Sequence, residues 1–159
     1  MTFNRSRVLL ILLFSVFCLS SCDNPNTIAD TNQVINNRTW SYVNKVRVPV
    51  VIEDEKATYN IYVNLRHTGD YKYSNIFLLI RSQNPGGKVV TERKEFKLAH
   101  PDGQWLGKGS GNLYSYQLPV TENYRFPQKG KYMFEIEQNM RDNPLKEITD
   151  VGLRVEKSN

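Results

Sequence analysis

The stretch "KYMFEIEQ", residues 131–138, decides the fold. In an extended chain Tyr132, Phe134 and Ile136 fall on one side, and Met133, Glu135 and Glu137 fall on the other. A period of two is the mark of a β-strand with one face buried, because successive side chains of a strand point to opposite faces. On this reading Phe134 and Ile136 belong to a core, and Glu135 is a solvated position.

The same period recurs on the N-terminal side. Val46, Val48 and Val50 alternate with Lys45 and Arg47, and Tyr59, Ile61, Val63 and Leu65 alternate with Asn60, Tyr62 and Asn64. "SNIFLLIRS" at 74–82 is continuously apolar at its centre, as expected of a strand covered on both faces, and the "NPGG" after it is turn chemistry. Further strands are expected around 88–98 and 113–118, and Val151, Leu153 and Val155 close the series. "MRDNPLKEI" at 140–148 has room for one short helical turn, which Pro144 limits. About seven to eight strands, parted by turns rich in Gly, Pro and Asn, predict an all-β protein. The architecture is a single antiparallel β-sandwich, immunoglobulin-like or jelly-roll-like, over residues 39–159.

The chain ahead of this domain has a different composition. Arg5 and Arg7 precede an almost wholly aliphatic and aromatic run from Val8 to Phe17, and "LSSC" at 19–22 supplies small residues before a cysteine. A hydrophobic core of roughly 10–14 residues is too short to span a bilayer and fits a signal peptide. A short buried helix with a buried thiol and an ordinary cleaved signal are the alternatives. The pattern resembles the bacterial lipobox, in which cleavage falls before an acylated cysteine. Residues 1–21 then form the signal peptide, Cys18 is discarded with it, and the lone Cys22 is a lipid attachment point. Two or more acyl signals give stable membrane attachment, where one gives only marginal binding.

Residues 22–38 contain "DNPNTIADTNQVINNR", rich in Asn, Asp and Thr and without a sustained period, and they read as a flexible tether. Asn37-Arg38-Thr39 matches a glycosylation sequon, an accidental match in a bacterial lipoprotein. Removal of Arg5 and Arg7 takes the 21 basic residues to 19 against 16 acids, a balance of about +3. The basic residues are scattered, which argues against nucleic acid as a partner.

Little catalytic chemistry is visible. His67 and His100 stand 33 positions apart, no thiol survives processing, and no serine sits in a nucleophile elbow. No metal site and no cofactor is implied. Asp102 and Asp150 are carboxylates whose distance the sequence leaves open. One stretch differs in kind: "HPDGQWLGKGSGN", residues 100–112, sets Trp105 and Lys108 among four glycines, with Asp102-Gly103 as a turn. Either Trp105 and Leu106 plug one end of the sandwich, or Asp102, Trp105 and Lys108 form a contact loop for a partner.

"YSNIFLLI", "HPDGQWLGKGSGN" and "RFPQKGKYMFEIEQNMRDNPLKEITDVGLRVEK", together with the lipobox, resemble the gliding-motility lipoprotein H family, GldH, of the Bacteroidetes over nearly the whole chain. The runs at 105–109, 137–141 and 150–154 carry the match most specifically. The resemblance implies an outer-membrane lipoprotein of the cell envelope. It is needed for gliding movement and chitin use, traits tied to the secretion system that exports adhesins, and members also occur in species that do not glide. It brings no catalytic residues. Three classes of function follow: a non-enzymatic interaction component of an envelope or secretion machine, a cell-surface glycan-binding module that stacks sugars on exposed Tyr71, Tyr73 or Trp105, and an enzyme.

Overall fold

The computed structural model describes residues 25–158, and the expected signal peptide and the expected lipid attachment point, Cys22, lie outside the described residues. Eleven strands follow one another: β1 (Thr27–Val34), β2 (Thr39–Trp40), β3 (Val46–Ile52), β4 (Tyr59–Thr68), β5 (Asn75–Gln83), β6 (Val89–Lys97), β7 (Lys108–Ser110), β8 (Leu113–Tyr124), β9 (Gly130–Gln138), β10 (Leu145–Lys146) and β11 (Ile148–Lys157). Sheet order is β1-β11-β4-β8-β7 in one layer and β3-β9-β5-β6 in the other, with β2 and β10 as a small separate pair. All pairings are antiparallel. The fold is the all-β sandwich that the two-residue period predicts. Strands beyond seven or eight are accounted for by β2, β7 and β10, of two or three residues each, and by β1.

The core lies between the two sheets. β9 contributes Tyr132, Phe134 and Ile136, and β3 contributes Val46, Val48, Val50 and Ile52. From the facing sheet come Tyr59, Ile61, Val63 and Leu65 of β4 and Val151, Leu153 and Val155 of β11, the last three with no exposed surface. Pro49 sits in β3, an edge strand, where a missing N–H breaks no ladder bond.

Four expectations need correction. Residues 22–38 are not a tether throughout: from Thr27 the chain is β1, paired with β11 from Thr27↔Glu156 to Val34↔Asp150, and Ile35 joins the core. β1 is held by backbone hydrogen bonds with its side chains mostly exposed, so composition hides it. Its approach depends on Gly152, where a Cβ would stand on the carbonyl oxygen of Thr31. Next, β5 alternates instead of being covered on both faces. Ile76, Leu78 and Ile80 are buried, whereas Phe77 faces outward under the Arg93 guanidinium, 4.1 Å from the ring centroid. Third, 140–148 holds no helical turn; buried Leu145 pairs with buried Trp40 instead. Fourth, the strand expected at 113–118 continues to Tyr124.

Glu135 is also more than a solvated position. It lies directly opposite Arg47 of β3 and Arg81 of β5 in the ladder. Arg47 Nε, Arg81 Nη1 and Lys45 Nζ each stand 3.0 Å from its carboxylate. Arg81 Nη1 also reaches Glu137 at 2.6 Å. Burial pushes the Glu135 carboxyl up, but the Lys45 and Arg47 hydrogen bonds outweigh it and hold the group below its ordinary range. A depressed carboxyl stabilises the fold above its unfolded-state pKa of about 4.3, and that contribution is lost as the pH falls through the folded value.

Replacing Phe134 or Ile136 by Ala is therefore expected to cost about 2–5 kcal/mol in urea unfolding at neutral pH. Glu135→Ala is expected to cost about 1 kcal/mol there, because Arg47 loses its partner and Lys45 and Arg81 are left with Glu137 alone. The Glu135 loss shrinks below the carboxylate range while the two core losses persist. Equal losses at all three positions, or a Glu135 loss that ignores pH, would contradict the assignment.

Candidate interaction surface

One end of the sandwich is organised around His67, at the end of β4 and fully buried. Five rings meet there. Trp105 stands edge-on at 4.5 Å between centroids, Tyr71 at 5.0 Å, Tyr116 stacked at 5.2 Å and Tyr114 at 5.9 Å. Edge-to-face and offset contacts at these distances favour aromatic rings beyond their area burial. Since the Thr68 carbonyl can only accept, His67 Nδ1, 2.7 Å away, carries the hydrogen and donates. Nε2, an acceptor in this tautomer, is 3.1 Å from the Tyr116 hydroxyl, whose single hydrogen is shared between Nε2 and the Leu98 carbonyl at 2.9 Å. Burial pushes His67 below the usual imidazole range, against the Thr68 bond, so the ring is neutral at physiological pH. Burial likewise pushes the Tyr116 hydroxyl up to about 12.

This hub fixes the 98–112 segment. Ala99 and Trp105 form an antiparallel bridge, Leu106 donates to the Leu98 carbonyl at 2.8 Å, and His100 donates to the Gln104 carbonyl at 2.8 Å. Asp102 lies exposed in the turn between them, where Oδ1 accepts the Gln104 N–H at 3.0 Å. Gly107 packs on the Tyr116 ring, and a Cβ there would come within 2.6 Å of it. β7 then places Lys108 opposite Ser115 of β8, exposed.

The three residues singled out in the sequence thus part company. Trp105 turns inward, half-buried against His67, while Asp102 and Lys108 face solvent on either side of it. The expectation of exposed stacking aromatics fails at Tyr71, which is 4% exposed and donates to the Asn75 carbonyl at 3.1 Å. Tyr73 is half-buried, with its hydroxyl 2.5 Å from Asp142. Asp102 and Asp150 are not a carboxylate pair: Asp150 accepts from Arg66 Nε at 2.7 Å, whereas Asp102 is engaged within its own turn. Burial pushes Asp150 up, and the Arg66 and Thr149 hydrogen bonds outweigh it and hold it low. Among the described residues no group of three His, Cys, Asp or Glu is placed to hold a metal ion.

Two clefts flank the hub. One, of about 670 Å³, lies between 70–73 and 141–147 and is rimmed by Asp70, Lys72, Arg141, Asp142 and Lys146. The other, of about 560 Å³, lies along the outer face of the five-stranded sheet beside Lys108. Of its polar residues, Arg66 escaped the sequence reading, Asn64 was read only as an outward strand position, and Asp150 only as a carboxylate at an open distance from Asp102. They occupy outward positions of β4 and β11, and the period of two marks them as outward without showing that the strands are neighbours.

The class of protein so defined is a β-sandwich domain, with a rigid aromatic end and polar clefts. The chain belongs to the GldH lipoprotein family, whose model, described as GldH lipoprotein, matches residues 27–155. The match begins where β1 begins. The chain is 34% identical over 155 residues to a gliding motility lipoprotein GldH homolog of Christiangramia forsetii, covering 93% of this chain and 94% of the relative. It is 31% identical over 153 residues to the gliding motility lipoprotein GldH of Flavobacterium johnsoniae, covering 92% and 94%. No solved structure matches the chain. Its relatives are gliding motility lipoproteins by name.

Removing the Trp105 ring is expected to cost about 2–3 kcal/mol in chemical unfolding, somewhat below the range for a fully buried Trp. Asp102→Ala, which removes one exposed turn bond, is expected to cost about 0.5 kcal/mol. A silent Trp105→Ala variant would contradict the plugging role.

Proposed function

We propose that this lipoprotein is a non-enzymatic interaction component of the cell envelope, linked to gliding motility and to the protein secretion machinery associated with it. It is anchored in the outer membrane by lipid on Cys22. The observation that carries the reading is the aromatic hub. Loops on a rigid frame are the usual place for recognition, and the His67–Trp105 packing holds 98–112 fixed while leaving Asp102 and Lys108 exposed. A partner protein is met by this end, with Asp102 and Lys108 as polar contacts and Trp105 as the support beneath them.

The start of β1 adds a geometric argument. Five chain steps separate Cys22 from Thr27, and an extended chain of that length spans at most about 18 Å. The domain is thereby held near the lipid surface, which favours a partner in or beside the same membrane. Glycan binding by stacked aromatics is the weaker reading, since Tyr71 is buried.

The experiment is photo-crosslinking in native membranes, with the photoreactive residue at position 102 or, as a control, at Val89 near the far end of β6. Position 102 is expected to trap a discrete envelope protein that position 89 does not. Cys22→Ser is expected to shift the chain out of the detergent phase and to abolish the product. Equal labelling from both positions, or an unchanged product with Cys22→Ser, would overturn the proposal.

A further inference from the structure

The outer face of the five-stranded sheet carries a cross-strand row that shares only Lys108 with the proposed partner contact. Register places Asp150 of β11 beside Arg66 of β4, Arg66 beside Ser115 of β8, and Ser115 beside Lys108 of β7. All four line the cleft of about 560 Å³. Neighbouring strands lie about 4.8 Å apart, so the backbone positions of Arg66 and Lys108 stand about 10 Å from each other on either side of Ser115. Arg66 spends Nε on Asp150 at 2.7 Å, and its outer nitrogens make no hydrogen bond among the described residues. Lys108 has no ion-pair partner among the described residues.

One row along, the same cleft holds a second and independent signal. Asn64 lines it, is 8% exposed, and donates its amide to Asp30 Oδ1 at 2.7 Å. That bond fixes which way the amide points. The carbonyl oxygen Oδ1 is left buried without a hydrogen-bond partner among the described residues. A buried acceptor in this state is costly, and a donor entering from the cleft would complete it. Asp30 is paired with Arg154 at 2.6 Å, a guanidinium it shares with Glu156 at 2.8 Å.

We propose that this cleft binds an acidic sugar, a hexuronate unit of a glycan. Its carboxylate lies among Arg66, Ser115 and Lys108, and its hydroxyls reach Asn64 and Gln117. The unpaired Lys108, together with the outer nitrogens that Arg66 keeps beside its Asp150 ion pair, offers donors for an anion on one side, and the guanidinium fork suits a planar carboxylate. An acceptor-rich amide and carboxylate set on the other side calls for hydroxyl donors. The cleft crosses the middle of the sheet rather than running along an unpaired edge, so a peptide gains no strand pairing there.

The test is binding of trigalacturonate to the full chain purified in detergent, measured by calorimetry beside thermal unfolding. Its methyl ester and inorganic phosphate are the comparison ligands. Trigalacturonate is expected to bind saturably, with affinity falling as salt rises. The uncharged ester and phosphate alone are each expected to bind at least about tenfold more weakly, and Lys108→Glu to weaken trigalacturonate about tenfold at an unchanged unfolding temperature. No saturable binding, equal binding of acid and ester, phosphate as tight as the sugar, or indifference to Lys108→Glu would each overturn the assignment.

Discussion

At Gly152 the carbonyl oxygen of Thr31 occupies the place where any other residue would carry its Cβ. That absence lets β1 close on β11, which it pairs with over most of its length. β11 in turn lies between β1 and β4, with Val151, Leu153 and Val155 fully buried on its inner side. The first strand and the last are thus tied together, and the ends of the described chain meet in one sheet.

Much of the outer face follows from this contact. Docked β1 carries Asp30 to Arg154 and to the Asn64 amide, and it is the Asp30 bond that orients the amide and leaves its oxygen unmatched. With β1 in the sheet, the folded part begins at Thr27 instead of Thr39, so the domain and its clefts stand close to the proposed anchor at Cys22. The aromatic hub is the second fixed point. It binds β4, β8 and the 98–112 segment through rings that touch His67, and it explains why a glycine-rich crossover is held in one shape.

How much of this was legible in the sequence depends on what holds each part. β3, β4, β9 and β11 bury every second side chain, and their period of two reads directly from the residues. β1 is an edge strand with mostly exposed polar side chains, held by backbone hydrogen bonds that leave no trace in composition, and it reads as a tether. The 100–112 stretch was recognisable as unusual from its glycines and Trp105. The inward turn of Trp105 depends on His67, far away in sequence. Asp150 and Lys108 were visible as charged residues, and Arg66 lies one step beyond the outward Asn60, Tyr62 and Asn64. Their meeting is a matter of strand order, which no local pattern encodes.

Native-state hydrogen exchange on the full chain tests the central claim most directly. The amides of Thr27–Val34 that bond to β11 are expected to be protected like their partners in β11, and Gly152→Ala is expected to release them while β3 and β9 stay protected. Free exchange of every β1 amide in the unmodified chain, with β11 still protected, would contradict the account.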